Sequence, residues 1–127
     1  MLAAALLAGC AGFKQKDQAS RLDLALTAYA GAIRWGNFDT AAAFTVPRDG
    51  STPQHDTAAL AGLKVTGYSV RINRVNETAD EADVSFGFTY YQENQGTIRS
   101  IEQRAPWYFD DARGSWLLDG GLPRFMR

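Results

Sequence analysis

Apolar residues recur at helical spacing after a polar stretch near the start of the chain. At about 100° per residue, Leu22, Leu26, Tyr29 and Ile33 fall on one side. Leu24, Ala28 and Ala32 widen that arc, leaving Asp23, Thr27 and Arg34 on a narrow polar strip. The spacing predicts a helix from Ser20, a good N-cap, to about Gly36. An apolar arc this wide suits a helix half wrapped by a curved sheet. Gly36-Asn37 stops it, and Asp39 can cap a short second helix through Ala41, Ala42, Ala43 and Phe44, ended by Pro47. Arg48 to Gln54 is rich in turn formers and charge and reads as a loop, followed by a third short helix over about Asp56 to Gly62.

The period then changes to two. Tyr68, Val70 and Ile72 alternate with Ser69, Arg71 and Asn73 in a strand ending near Asn76. Ala82, Val84, Phe86, Phe88 and Tyr90 alternate with Asp83, Ser85, Gly87 and Thr89. Asn94-Gln95-Gly96 makes a turn, and a third strand runs from Thr97 to Phe109 with Ile101, Ala105, Trp107 and Phe109 on one side. Asp110 to Gly114 turns the chain into a last strand at Trp116-Leu117-Leu118-Asp119. Helices first and strands with tight connections after them define an α+β domain, its N-terminal helices packed on a curved, antiparallel, four-stranded meander.

The segment before this pattern reads as a processing signal. Leu2 to Ala8 is an apolar run far shorter than the ~20 residues a membrane span needs. It fits the apolar region of a secretory signal, although no Lys or Arg precedes it. Its ending, Leu7-Ala8-Gly9-Cys10, resembles the lipobox of bacterial lipoproteins. That resemblance implies cleavage before Cys10, a diacylglyceryl group on its thiol, and attachment to a membrane by two or more acyl chains. The division is then residues 1–9 as signal peptide, 10–19 as lipidated cysteine and polar tether, and 20–127 as the α+β domain. The implied location is the bacterial cell envelope facing the periplasm. Ala11, where aspartate would favour the inner membrane, points to the outer one.

Composition narrows the chemistry. The 127 residues carry 13 basic and 14 acidic side chains without a block of either sign, so neither a nucleic-acid footprint nor a polybasic membrane patch is present. One cysteine excludes an intrachain disulfide and a cysteine-rich zinc site, and one histidine removes most histidine-based metal sites. No metal or cofactor is expected.

The order of elements resembles the NTF2-like family, the cone-shaped fold of ketosteroid isomerase, limonene-epoxide hydrolase and scytalone dehydratase. The resemblance rests on Ala28-Tyr29-Ala30, Ile33, Gly36-Asn37-Phe38-Asp39 and Ala42-Ala43-Phe44, then Trp107-Tyr108-Phe109-Asp110 and Trp116-Leu117-Leu118. It covers residues 20–122. The family's first β-hairpin, between the second and third helices, has no room in the Pro/Gly-rich interval Thr45 to Asp56. The implied cone lacks that hairpin and is shallow.

Enzymes of this fold place a carboxylate or histidine base inside the cone, often facing a tyrosine. The counterparts here are thin. His55, beside Asp56, reads as a solvent-facing loop histidine, and Asp119 faces either the interior or water. No nucleophile elbow or phosphate loop is present, so no catalytic residue is assigned. The remaining candidates for a small apolar ligand are Tyr29, Trp35, Tyr68, Tyr90 and Trp107, with Asp119 as a polar tip. For most of these aromatics core packing is the first reading, while Trp35 either packs on the second helix or joins an exposed contact patch. Two functions follow. One is a lipid-anchored, non-enzymatic module binding an envelope protein, a small apolar ligand or a second copy of itself through the open sheet face. The other is a small lyase, isomerase or hydrolase using Asp119 or His55 with Tyr29 or Tyr90.

Overall fold

The computed structural model describes the backbone of residues 2–55 and 57–125 and the side chains of 16–55 and 58–125. In chain order the elements are α1 (Leu2–Arg34), α2 (Phe38–Ala42), α3 (Thr57–Leu60), β1 (Leu63–Val75), β2 (Glu81–Gln92), β3 (Arg99–Asp110) and β4 (Ser115–Leu118). Side chains before Lys16, that of Cys10 included, lie outside the described residues.

The first helix does not begin at Ser20. Its backbone is helical from Leu2 through the segment expected to be a tether. Alanine, lysine and glutamine dominate that segment and suit a helix interior. Asp17 and Arg21 pair at 3.0 Å, one turn apart, across the place where a cap was expected. Packing also starts before Ser20: Gln18 is buried, and the indole Nε1 of Trp116 donates to its carbonyl at 2.8 Å. At its other end α1 closes as anticipated. Gly36, at φ 78°, donates to Ile33 O, and Asn37 N reaches Ala32 O at 2.7 Å, the paired bonds of a Schellman stop. Asn37, rather than Asp39, holds the N-cap of α2 and makes no side-chain bond there; Asp39 sits in the first turn.

The inward face of α1 is narrower than its sequence suggests. Leu22, Leu26, Tyr29 and Ile33 are fully buried, but Leu24 is 71% exposed. Two residues past Leu22 is a rotation of about 200°, which puts Leu24 on the far side of the helix.

The sheet is an antiparallel meander in the order β1-β2-β3-β4. Its concave face carries Val84, Phe86, Phe88 and Tyr90 of β2, with Ala105 and Trp107 of β3, against α1. Register irregularities in β1, between Val65 and Gly67 and between Ile72 and Arg74, add local twist and help curve the sheet. Tyr68, Val70 and Ile72 pair with Phe88, Phe86 and Val84, so they share the concave face. They are nonetheless exposed at 37–41%, because α1 engages β1 only at its start, where Arg34 donates to Val65 O at 2.6 Å. The convex face is polar. There Arg104 holds Asp83 through two nitrogens, and Asn73 donates to Ser85 Oγ at 2.8 Å.

Among the described residues no strand lies between α2 and α3. The missing hairpin leaves one parallel bridge, Thr45 to Leu118, with Val46 N on Leu118 O at 2.9 Å and Leu118 N on Phe44 O at 2.8 Å.

Trp116 ties the start of the packed helix to the last strand, and replacing it tests that tie. Trp116→Phe removes the bond to Gln18 and leaves empty part of the space the buried indole fills, so urea unfolding should report a loss of about 2–3 kcal/mol. Hydrogen exchange should show earlier opening of the amides around Gln18, and an unchanged exchange pattern would contradict the assignment.

Candidate functional site

The interior between α1 and the sheet is occupied by side chains. Tyr29 stands 5.1 Å from Phe86, 5.3 Å from Trp107 and 6.0 Å from Phe44, centroid to centroid, its ring nearly perpendicular to the last two. Such edge contacts suit the quadrupoles of aromatic rings. The Tyr29 hydroxyl donates to Gln103 Oε1 at 2.8 Å, and Gln103 Nε2 donates in turn to Gly121 O at 2.7 Å. Burial pushes the Tyr29 phenol far up, against a smaller opposing effect of the Gln103 bond, so it stays a neutral donor. The indole Nε1 of Trp107 is buried without a partner among the described residues.

A sizeable open space lies outside this core. A cleft of about 630 Å³ separates the loop after α2 from the segment that follows β4, with Pro47, Pro53, Leu60, Leu122 and Phe125 as apolar walls. Asp49, His55, Asp119 and Arg124 supply its polar groups. Both walls are pinned. Asp119 Oδ1 accepts from Arg48 N at 3.0 Å, and His55 Nε2 accepts from Leu122 N at a long 3.4 Å. Arg48 also bonds Glu81 at 2.6 Å and lies 4.4 Å above the Tyr108 ring, while the Tyr108 hydroxyl donates to Val46 O at 2.5 Å. Burial, helped by Asp110 and Asp119, raises the Tyr108 phenol. Hydrogen bonds from Ser51 hold the Asp49 carboxyl below the usual carboxylate range. The floor needs small residues: a Cβ on Gly121 would stand 3.3 Å from Pro53 and 3.7 Å from His55 Nε2.

The six residues expected around a ligand are therefore dispersed. Tyr29 and Trp107 form the closed core, and Tyr90 packs edge-on against Phe125 at 5.0 Å. Tyr68 stands on the uncovered part of β1, and Trp35, 73% exposed, lies at the end of α1 under the Arg34 guanidinium at 4.3 Å. Asp119 is at the rim of the sheet rather than in its interior, and it shares the cleft with His55. Gln103, Arg48, Pro53 and Phe125 complete this arrangement without having stood out in the sequence. The Gly120-Gly121 doublet after the last strand was the one available signal of close approach there. Among the described residues no three His, Cys, Asp or Glu side chains stand together as a metal site, and no helix is long and apolar enough to cross a membrane.

Helices laid across one face of a curved antiparallel sheet make this an α+β protein of the NTF2-like, ketosteroid isomerase-like fold. A ketosteroid isomerase-like protein from Erwinia carotovora atroseptica superimposes with a TM-score of 0.54 over 80% of this chain and 90% of its own, at 14% identity. No protein-family model and no curated protein matches the sequence. At that identity the likeness speaks for the fold alone.

Two outcomes follow from the bonds around the core and rim. Because the folded Tyr29 ionises above its unfolded value of about 10, its stabilising effect is complete below that pH. It is lost as the pH rises further, at up to ~1.4 kcal/mol per pH unit. Thermal melts of Tyr29→Phe should show a shallower alkaline decline than the parent and a loss of about 1 kcal/mol at neutral pH. At the rim, Asp119→Asn retains an acceptor for Arg48 N, whereas Asp119→Ala leaves that donor without one. Denaturant titration should find the alanine variant weaker than the asparagine variant by about 1 kcal/mol.

Proposed function

We propose that this chain is a lipid-tethered, non-enzymatic domain of the bacterial cell envelope that binds a protein or a small apolar molecule at its surface. The observation that carries the reading is the filled interior. The place where a cone of this fold would hold a base and its substrate is occupied by Tyr29, Phe44, Phe86 and Trp107 in mutual contact. Binding is left to the rim cleft and to the uncovered apolar side chains of β1. The tether rests on Leu7-Ala8-Gly9-Cys10, and Ala11 favours the outer membrane. Two or more acyl chains give durable attachment where one would be marginal.

One arrangement favours a second reading, a small lyase, isomerase or hydrolase acting on an apolar molecule. His55 and Asp119 line the same cleft. Against it, each already accepts a backbone N–H that holds a cleft wall. Turnover lost in both His55→Ala and Asp119→Asn would replace the binding reading with this one.

The tether is tested by labelling cells with a palmitate analogue. The parent chain should take up label and sediment with membranes, and Cys10→Ala should lose the label and move to the soluble fraction. Label retained by Cys10→Ala would sink the lipid-anchor reading.

A further inference from the structure

The outward face of α1 carries a second apolar seam. Leu24, Ala28, Gly31 and Trp35 recur at intervals of four, three and four residues, about 180° around the helix from the buried stripe. Leu24 and Trp35 are 71% and 73% exposed, the highest values among the large apolar side chains of the described residues. Gly31 between them is equally unexplained by the single chain. It sits inside a helix, where glycine is less stable than alanine. A Cβ built on it meets nothing within 4 Å, so no neighbour in this chain requires it to be small.

We propose that two copies of the chain associate through this seam, α1 against α1, antiparallel about a two-fold axis. The spacing is self-complementary. An axis midway between Ala28 and Gly31 sets each of these against the other in the second copy and sets Leu24 against the partner's Trp35. Small residues at the centre let the helix axes approach closely, and the two large side chains close the ends. The charges agree with this register. Asp23 and Arg34 lie on the same flank of α1, and the operation brings Asp23 to within about two residues, ~3 Å along the axis, of the partner's Arg34. Two opposite-charge pairs then lie along one side of the seam, whereas a parallel pairing would carry this flank of the two copies to opposite sides and form neither pair. The convex sheet face, the other surface expected to self-associate, instead carries the Asp83–Arg104 pair and the Asn73–Ser85 bond. The inference goes beyond the proposed function and depends neither on Cys10 nor on what the rim cleft holds.

The test is sedimentation equilibrium of the full chain in density-matched detergent. The parent should be a dimer. Leu24→Glu and Gly31→Leu should each weaken association at least tenfold, and Asp23→Arg should weaken it less. Gly31→Leu separates the interface from the fold, because the monomer has room for the side chain and its thermal midpoint should hold or rise while the dimer is lost. Ala28→Cys combined with Gly31→Cys should cross-link into a covalent dimer on mild oxidation. A parent that stays monomeric at high concentration, or a dimer that survives both Leu24→Glu and Gly31→Leu, overturns the proposal.

Discussion

A fully buried tyrosine must either satisfy its hydroxyl or forfeit a hydrogen bond, at a cost of about 1–3 kcal/mol. Tyr29 meets that demand by reaching across the core to Gln103, which passes the bond on to the carbonyl of Gly121. Much of the architecture follows from this link. From that position its ring touches Phe44, Phe86 and Trp107, steeply inclined to each, and the interior is closed. The segment after β4 must stay within reach of Gln103, so it runs beside β3 and carries Leu122 and Phe125 onto the core. Space for another molecule is displaced outward, to the gap between that segment and the loop bearing His55.

The absent hairpin explains the remaining openness. Two further strands would have stood where the chain makes a single bridge at Thr45, and the Pro47–Pro53 loop takes their place. Arg48 fastens that loop at three points, to Asp119, Glu81 and the face of Tyr108. The exposed Arg48–Glu81 ion pair contributes little by itself. The convergence of the three contacts on one residue, through its backbone N–H and its guanidinium, gives the cleft a fastened wall. At the opposite margin, β1 projects past the reach of α1 as a long edge strand, with Tyr68, Val70 and Ile72 half open to solvent. Arg71 and Arg74 stand on its other face, and charge on an edge strand discourages indiscriminate pairing.

The element order, the four strands and the Gly36 stop were legible because each depends on local periodicity or on one residue's backbone freedom. The period-two pattern of β2 reports a face that is buried along its whole length. The same pattern in β1 gives no warning that most of its apolar face is bare, since coverage depends on how far a distant helix extends. Ser20 misled because the modest cost of serine inside a helix is overcome when the residues before it favour that state. The site was legible only in part. His55 and Asp119 were identifiable as chemistry, but their meeting depends on a tail whose path is set by Gln103, and an isolated glutamine in a strand carries no local signal of that duty.

The continuous first helix changes what an anchor at Cys10 would mean. A coiled tether lets a domain tumble, and it transmits little about orientation. Eight helical steps from Cys10 to Gln18 span about 12 Å, and Gln18 is already bonded to Trp116 in the last strand. With Arg21 donating to Gly114 O at 3.1 Å, the end of the sheet at the β3–β4 turn is fastened to the same stretch of helix. On the lipid-anchored reading that turn faces the bilayer, and the domain stands close to the surface in a set orientation. The outer seam of α1 begins only at Leu24, about 9 Å beyond Gln18 along the axis. It clears the anchor while lying near enough for two anchored copies to meet in the plane of the membrane, where confinement raises their effective concentration. Confinement of that kind would add to an association that the seam's own contacts already provide.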